Sequence, residues 1–198
     1  METLNPDKSL AIDWYKKALA AEKDEKEKLS YMVSLADLQN ELGNREREAK
    51  WREQVYLAKE QPTNLDLYKW GMALYYGEKF EMADSVFALY EEKYPDQIYG
   101  YLWRAKSNAL IDTAMENGLA IPHYIKLAEV AAQDTAKNKA ILLGAFEYLG
   151  PYEANIKKDY AASLGYFEKI LEFDPENNDA NRNVGILRKK VGTVKGDD

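Results

Sequence analysis

The sequence has no cysteine. A disulfide scaffold, a thiolate zinc site and a cysteine nucleophile are therefore excluded. It has one histidine, His123, too few for a multi-histidine metal site. Proline and glycine are scarce, at 6 and 11 of 198 residues, and an all-β chain of this length needs more turn residues. Long apolar runs are missing too. The longest, 140–146 (AILLGAF), is far too short to span a bilayer, so no membrane span is expected. The first thirty residues lack the basic-then-apolar pattern of a secretion signal. Basic residues number 27 against 34 acidic ones, a net charge of −7, which argues against nucleic acid as a partner. The expectation is a soluble chain of unknown compartment, either cytoplasmic or exported with its signal absent from this sequence.

What is present is material for a core. Apolar types make up 46 % of the chain, which argues against wholesale disorder, and the length suits one domain. The apolar periodicity is helical almost throughout, from Asp13 to Lys190. Short breaks punctuate it near Glu25, Gly43, Pro62, Gly77, Pro95, Gly118, Asp134, Asp159 and Pro175. Helices of about 14–22 residues joined by short loops imply antiparallel neighbours, about ten helices in all.

Internal repetition narrows the choice of all-α architecture. In 64–95, Leu67, Trp70, Gly71 and Leu74 share one helix, and Ala83, Phe87, Tyr90 and Pro95 follow. Ser163, Phe167, Ile170 and Pro175 repeat the later spacing, and Ala120, Tyr124 and Leu127 repeat it again. Ala11, Tyr15, Ala18 and Leu19 look like a second helix whose first is missing. The physical reason is close packing. Gly71, with Ala83 opposite, lets two helices approach, while Phe87 one turn on fills space beside the next hairpin. Proline then ends the unit.

These residues resemble the tetratricopeptide repeat (TPR), a helix–turn–helix unit of about 34 residues. The resemblance implies an all-α, right-handed superhelical solenoid of antiparallel helix pairs. One TPR-like domain is expected over 9–191, between a flexible N-terminus at 1–8 and a flexible tail at 192–198. Its hairpins fall at about 26–62, 64–95, 96–134 and 136–175, with single helices at 9–22 and 177–191. The block 96–134 carries extra residues around 112–117. A kink or helix break is expected at Gly150-Pro151, because an interior proline costs about 3 kcal/mol. The wording of 98–129 also resembles a bacterial, often exported subgroup of TPR proteins.

At the C-terminal end, Ala180, Val184, Leu187 and Val191 form an apolar stripe on a polar helix, as a terminal repeat requires. Arg188, Lys189 and Lys190 are expected in its last turn. At the other end, Trp14 and Tyr15 lie near an open edge. The first helix reads either as a cap or as a sign that the chain is the C-terminal part of a longer array. The second reading is favoured, because a second-type helix without its partner suggests truncation.

Nothing in the sequence assembles a catalytic site, so the chain is expected not to be an enzyme and to need no cofactor or metal. His123 follows Pro122 at a helix start, with no indicated nucleophile or orienting partner. Glu22, Asp24, Glu25, Glu27, Glu46, Glu48, Glu91 and Glu92 alternate with cations at helical spacing and read as a solvated face. No glycine-rich phosphate loop or calcium loop appears.

Tyrosine is abundant, at 15 residues. Tyr90, Tyr101 and Tyr124 fall at packing positions. The family resemblance implies that the first helix of each repeat lines a concave groove. The groove candidates are Leu65, Tyr68, Lys69, Met72, Tyr75 and Tyr76, then Tyr99, Leu102, Lys106 and Ala109. Tyrosine there offers a rigid contact area and a hydrogen-bonding tip. The family's chaperone-tail clamp needs Lys and Asn where this chain has Tyr68, Met72, Leu102 and Lys106, so that partner is not expected. The functional expectation is a protein-interaction scaffold gripping a protein or peptide segment. The alternatives are a ligand- or glycan-binding protein of a nutrient-uptake system, or a homo-oligomer joined through the first helix.

Overall fold

The computed structural model describes residues 6–194 and is all-helical over that span. Ten α-helices follow one another among the described residues. They are α1 (Pro6–Ala21), α2 (Glu25–Glu41), α3 (Arg45–Ala58), α4 (Asn64–Tyr76), α5 (Phe80–Lys93), α6 (Ile98–Ile111), α7 (Ile121–Ala131), α8 (Thr135–Tyr152), α9 (Tyr160–Phe173) and α10 (Asn178–Val194). Two compact units divide the chain, Met1–Trp103 and Arg104–Asp198, with the division inside α6. The expected flexible segments 1–8 and 192–198 lie partly outside the described residues. Where described, 6–8 begin α1 and 192–194 continue α10. Because α10 runs on to Val194, Arg188, Lys189 and Lys190 sit before its last turn, not in it.

In the first unit, α1 packs on α2, α2 on α3, α3 on α4 and α4 on α5. The helix starts are set by side chains that satisfy free backbone N–H groups. Asp24 accepts from the N–H of Lys26 and Glu27 at 2.9 and 3.1 Å. Thr63 and Asp66 form a reciprocal capping box, in which Asp66 accepts from the Thr63 N–H at 2.8 Å. Lys59 donates to the same carboxylate at 2.6 Å. Burial raises the Asp66 pKa, but the bonds from Lys59 and Thr63 outweigh it and hold the carboxyl below its ordinary value. A depressed folded pKa means the carboxylate stabilises the fold above the ordinary aspartate range, about pH 4, and that the gain is lost as pH falls through the folded value. Asp66→Asn should therefore flatten the acid limb of a stability-against-pH curve, measured by urea unfolding as the pH is lowered from about 5, above the ordinary aspartate value. An unchanged acid limb would show that the Lys59 pair does not differ between folded and unfolded chains.

The core of α3–α5 centres on Leu67, Leu74, Ala83, Phe87 and Tyr90. Gly71 permits the close crossing, and the group that fills its space is the Phe87 ring. A Cβ on Gly71 would lie 2.6–2.9 Å from three atoms of the Phe87 ring. Glu48 also departs from expectation. It is buried at 3 % exposure beside Arg52 at 5 %, where the charge pattern suggested a solvated face. Arg45 and Arg52 bind its two oxygens, at 2.8 and 3.5 Å, which permits the burial.

In the second unit, α7 packs on α8, α8 on α9 and α9 on α10. The extra residues at 112–117 form a turn organised by buried Asp112, which accepts from the N–H of Asn117 and Leu119 at 3.0 and 3.2 Å. The Phe167 ring lies against Gly150 as Phe87 does against Gly71. Ser163 donates to the Gly150 carbonyl at 2.8 Å. Of the kink or helix break expected at Gly150-Pro151, the break does not fall there. α8 continues through Pro151 to Tyr152, and a π-helical turn, Glu153–Lys157, follows. Proline perturbs bonding to the preceding turn through its missing N–H, yet the helix accommodates it and loosens only afterwards. The segment ends at Lys158, in the left-handed region at φ 60°.

Candidate functional site

The richest surface of the first unit lies on α4 and on the part of α6 up to Trp103. Helical spacing places Leu65, Tyr68, Lys69, Met72 and Tyr76 at intervals of three and four along α4. Tyr99, Leu102 and Trp103 are spaced likewise on α6. The tyrosine rings meet across the two helices. Tyr68 and Tyr99 pack edge-on with centroids 5.7 Å apart. Tyr75 meets Trp103 at 4.9 Å, and Tyr76 meets Trp103 at 6.5 Å. The Arg45 guanidinium stands 5.5 Å over the Tyr76 ring, which extends the row toward α3.

The row has a buried floor and an exposed rim. Tyr68, Met72, Tyr75 and Trp103 are half-buried and pack on the core. Leu65, Tyr76 and Tyr99 remain exposed at 54, 56 and 50 %. Lys69 is exposed and Leu102 half-buried. Lys106 and Ala109, also half-buried, lie farther along α6, past the division at Trp103. Trp103 and Arg45 were not among the sequence candidates. Trp103 could have been found, since it stands four residues after Tyr99. Arg45 is brought in from another hairpin, and no local spacing announces it.

Burial raises the pKa of Tyr68 and of Tyr75, with nearby phenols adding to the effect. The Trp103 indole beside the Tyr68 hydroxyl partly opposes the rise. These phenols are thus neutral hydrogen-bonding groups at physiological pH. Elsewhere, His123 stands in the first turn of α7, half-buried. Among the described residues, no three His, Cys, Asp or Glu side chains gather as a metal site requires. No described helix is long and apolar enough to cross a membrane.

Successive helix hairpins, closed by an aromatic ring over a small residue, define a helical-repeat protein. No protein-family model matches the sequence, and neither does any curated protein. Solved structures do. The C-terminal part of a TPR repeat-containing protein from Cytophaga hutchinsonii is 32 % identical, with a TM-score of 0.74. The likeness covers 89 % of this chain and 66 % of that one, so this chain spans a little under two thirds of its length. MamA 41-end from Desulfovibrio magneticus RS-1 is 13 % identical at a TM-score of 0.54, over 89 % of this chain and 99 % of that one. This second likeness is one of fold. The chain belongs to the TPR-like family of helical repeats.

Proposed function

We propose that this protein is a non-catalytic interaction scaffold that holds an extended segment of a protein partner on the face of α4 and early α6. The observation that carries the reading is the aromatic row: rings from two neighbouring helices, anchored on the core below and half-exposed above. Such rings offer large contact area at low entropic cost, and their hydroxyls can pair with a peptide backbone. The TPR-like fold supports a protein partner, since repeat families use the surfaces of successive helices for this purpose.

The test is a selection of 12-residue peptides from a random displayed library, on the immobilised full chain, followed by affinity measurements. Tyr68→Ala combined with Met72→Ala should weaken a selected peptide by about tenfold or more, the usual scale for two central contacts. A circular-dichroism melt of the variant guards against loss of fold. Unchanged affinity in the folded variant would move the site to another face.

A further inference from the structure

Beside the N-terminal half of α4 lies a cavity of about 150 Å3, whose lining includes Arg52, Lys59, Thr63, Leu65, Asp66 and Lys69. Its charges do not balance. Asp66 is covered by Lys59 at 2.6 Å and by the Thr63 hydroxyl at 2.8 Å. Arg52 bonds to Asp37 at 2.7 Å and to Glu48 at 3.5 Å. Glu48 is also held by Arg45 at 2.8 Å. Three carboxylates thus face the cations Arg45, Arg52, Lys59 and Lys69. Lys69 is the surplus cation, exposed at the wall and forming no ion pair among the described residues. Arg52, 5 % exposed, has a buried Nε with no hydrogen-bond partner. The polar lining therefore has donor capacity to spare and its one carboxylate already in use.

One surplus positive charge suits a monoanion. A phosphate dianion would bring a second negative charge close to Asp66 with no second free cation to meet it. The cavity also adjoins the aromatic row, because Leu65 lines it and stands one helical turn before Tyr68 and Lys69. The two helices of the docking face are otherwise poor in acid. In a chain with 34 acidic residues, Asp66 is the one carboxylate on α4, and α6 has none.

From this geometry, and resting on the reading of α4 and α6 as the docking face, we propose that the cavity seats the side-chain carboxylate of an Asp or Glu in the bound segment. The neighbouring residue of that segment is apolar and lies over Leu65 and Tyr68. The partner is thus an acidic, aromatic- or aliphatic-bearing stretch, selected by Lys69 with the free donors of Lys59.

The same peptide selection tests this, with the peptide C-terminus fused or amidated so that no terminal carboxylate is free. Selected peptides should be enriched in Asp or Glu beside an aromatic or aliphatic residue. By fluorescence anisotropy, Lys69→Glu should weaken an amidated selected peptide about tenfold, as should changing the peptide's own Glu to Gln. The two changes together should weaken it by much less than the product, because they remove one interaction. Lys93→Glu, an exposed charge-matched change on α5, should alter affinity less than twofold. Peptides that need Tyr68 and Met72 but show no acidic preference would overturn the carboxylate seat and leave the docking face standing. So would equal weakening by Lys69→Glu and Lys93→Glu, or binding restored only by a free C-terminus. Peptides indifferent to Tyr68 and Met72, or no enrichment at all, would overturn both.

Discussion

Phe87→Ala should lower the unfolding free energy by about 3–5 kcal/mol, read from urea denaturation with an unchanged m-value. The ring is fully buried at the centre of the α3–α5 core. It does two tasks at once. On one side it closes over Gly71, where ring atoms come within 2.6–2.9 Å of the position a Cβ would take. On the other it stacks on Trp103, with centroids 6.3 Å apart and planes 23° apart. Gly71 has no side chain with which to fill the void, so the site collapses poorly, and that places the cost in the upper part of the large-to-small range. Trp103 also loses its support, so peptide affinity at the aromatic face should fall together with stability. The reverse change makes the same point. Gly71→Ala should cost about 1–3 kcal/mol by overpacking. Gly71→Ala in a Phe87→Ala background should cost much less, because the opposing ring is gone. Additive costs would mean that the glycine and the ring do not share one space.

The repeat was legible in the sequence because close packing restricts residue size at fixed intervals. Gly71, Ala83, Phe87, Tyr90 and Pro95 carry that restriction in their spacing, and Ser163, Phe167 and Pro175 carry it again. Spacing gives the face of a helix but not which opposing atom arrives there, and at Gly71 that atom belongs to the Phe87 ring. Pro151 was legible as a perturbation but not in its position. Where a helix yields depends on what holds it, and the Gly150 carbonyl is tied to Ser163 at 2.8 Å while Glu153–Lys157 is not buried. The aromatic face was half legible. Its members on α4 follow from periodicity, whereas the meeting of Tyr75 with Trp103, and of Arg45 with Tyr76, depends on packing between hairpins. The cavity at Lys69 was hidden for the same reason, since its lining comes from separate helices.

Glu48 shows how far charge pattern alone can mislead, and it gives the second large expected effect. Glu48→Ala should cost about 2–3 kcal/mol, measured by the same denaturation. Removing one partner of a fully buried pair costs about 3–5 kcal/mol, because the remaining charge is left without compensation. The cost here is smaller because each arginine keeps another acceptor. Arg52 retains Asp37 at 2.7 Å, and Arg45 retains the Asn40 side chain. It does not vanish, because Asp37 is about half-exposed and cannot follow Arg52 inward, while the Arg52 Nε already lacks a partner. Glu48→Gln keeps the shape and one acceptor, and should cost about 1 kcal/mol, the scale of one hydrogen bond. Replacing Glu48 and Arg52 together by Leu and Met should come out closer to neutral than Glu48→Ala, since both buried charges then leave at once. The ordering of the three variants separates a buried network from an ordinary surface i, i+4 pair. A surface pair would give changes of about 0.5 kcal/mol or less for Glu48→Ala, with no advantage to the double replacement. That result would return α3 to the solvated face its charge pattern suggests.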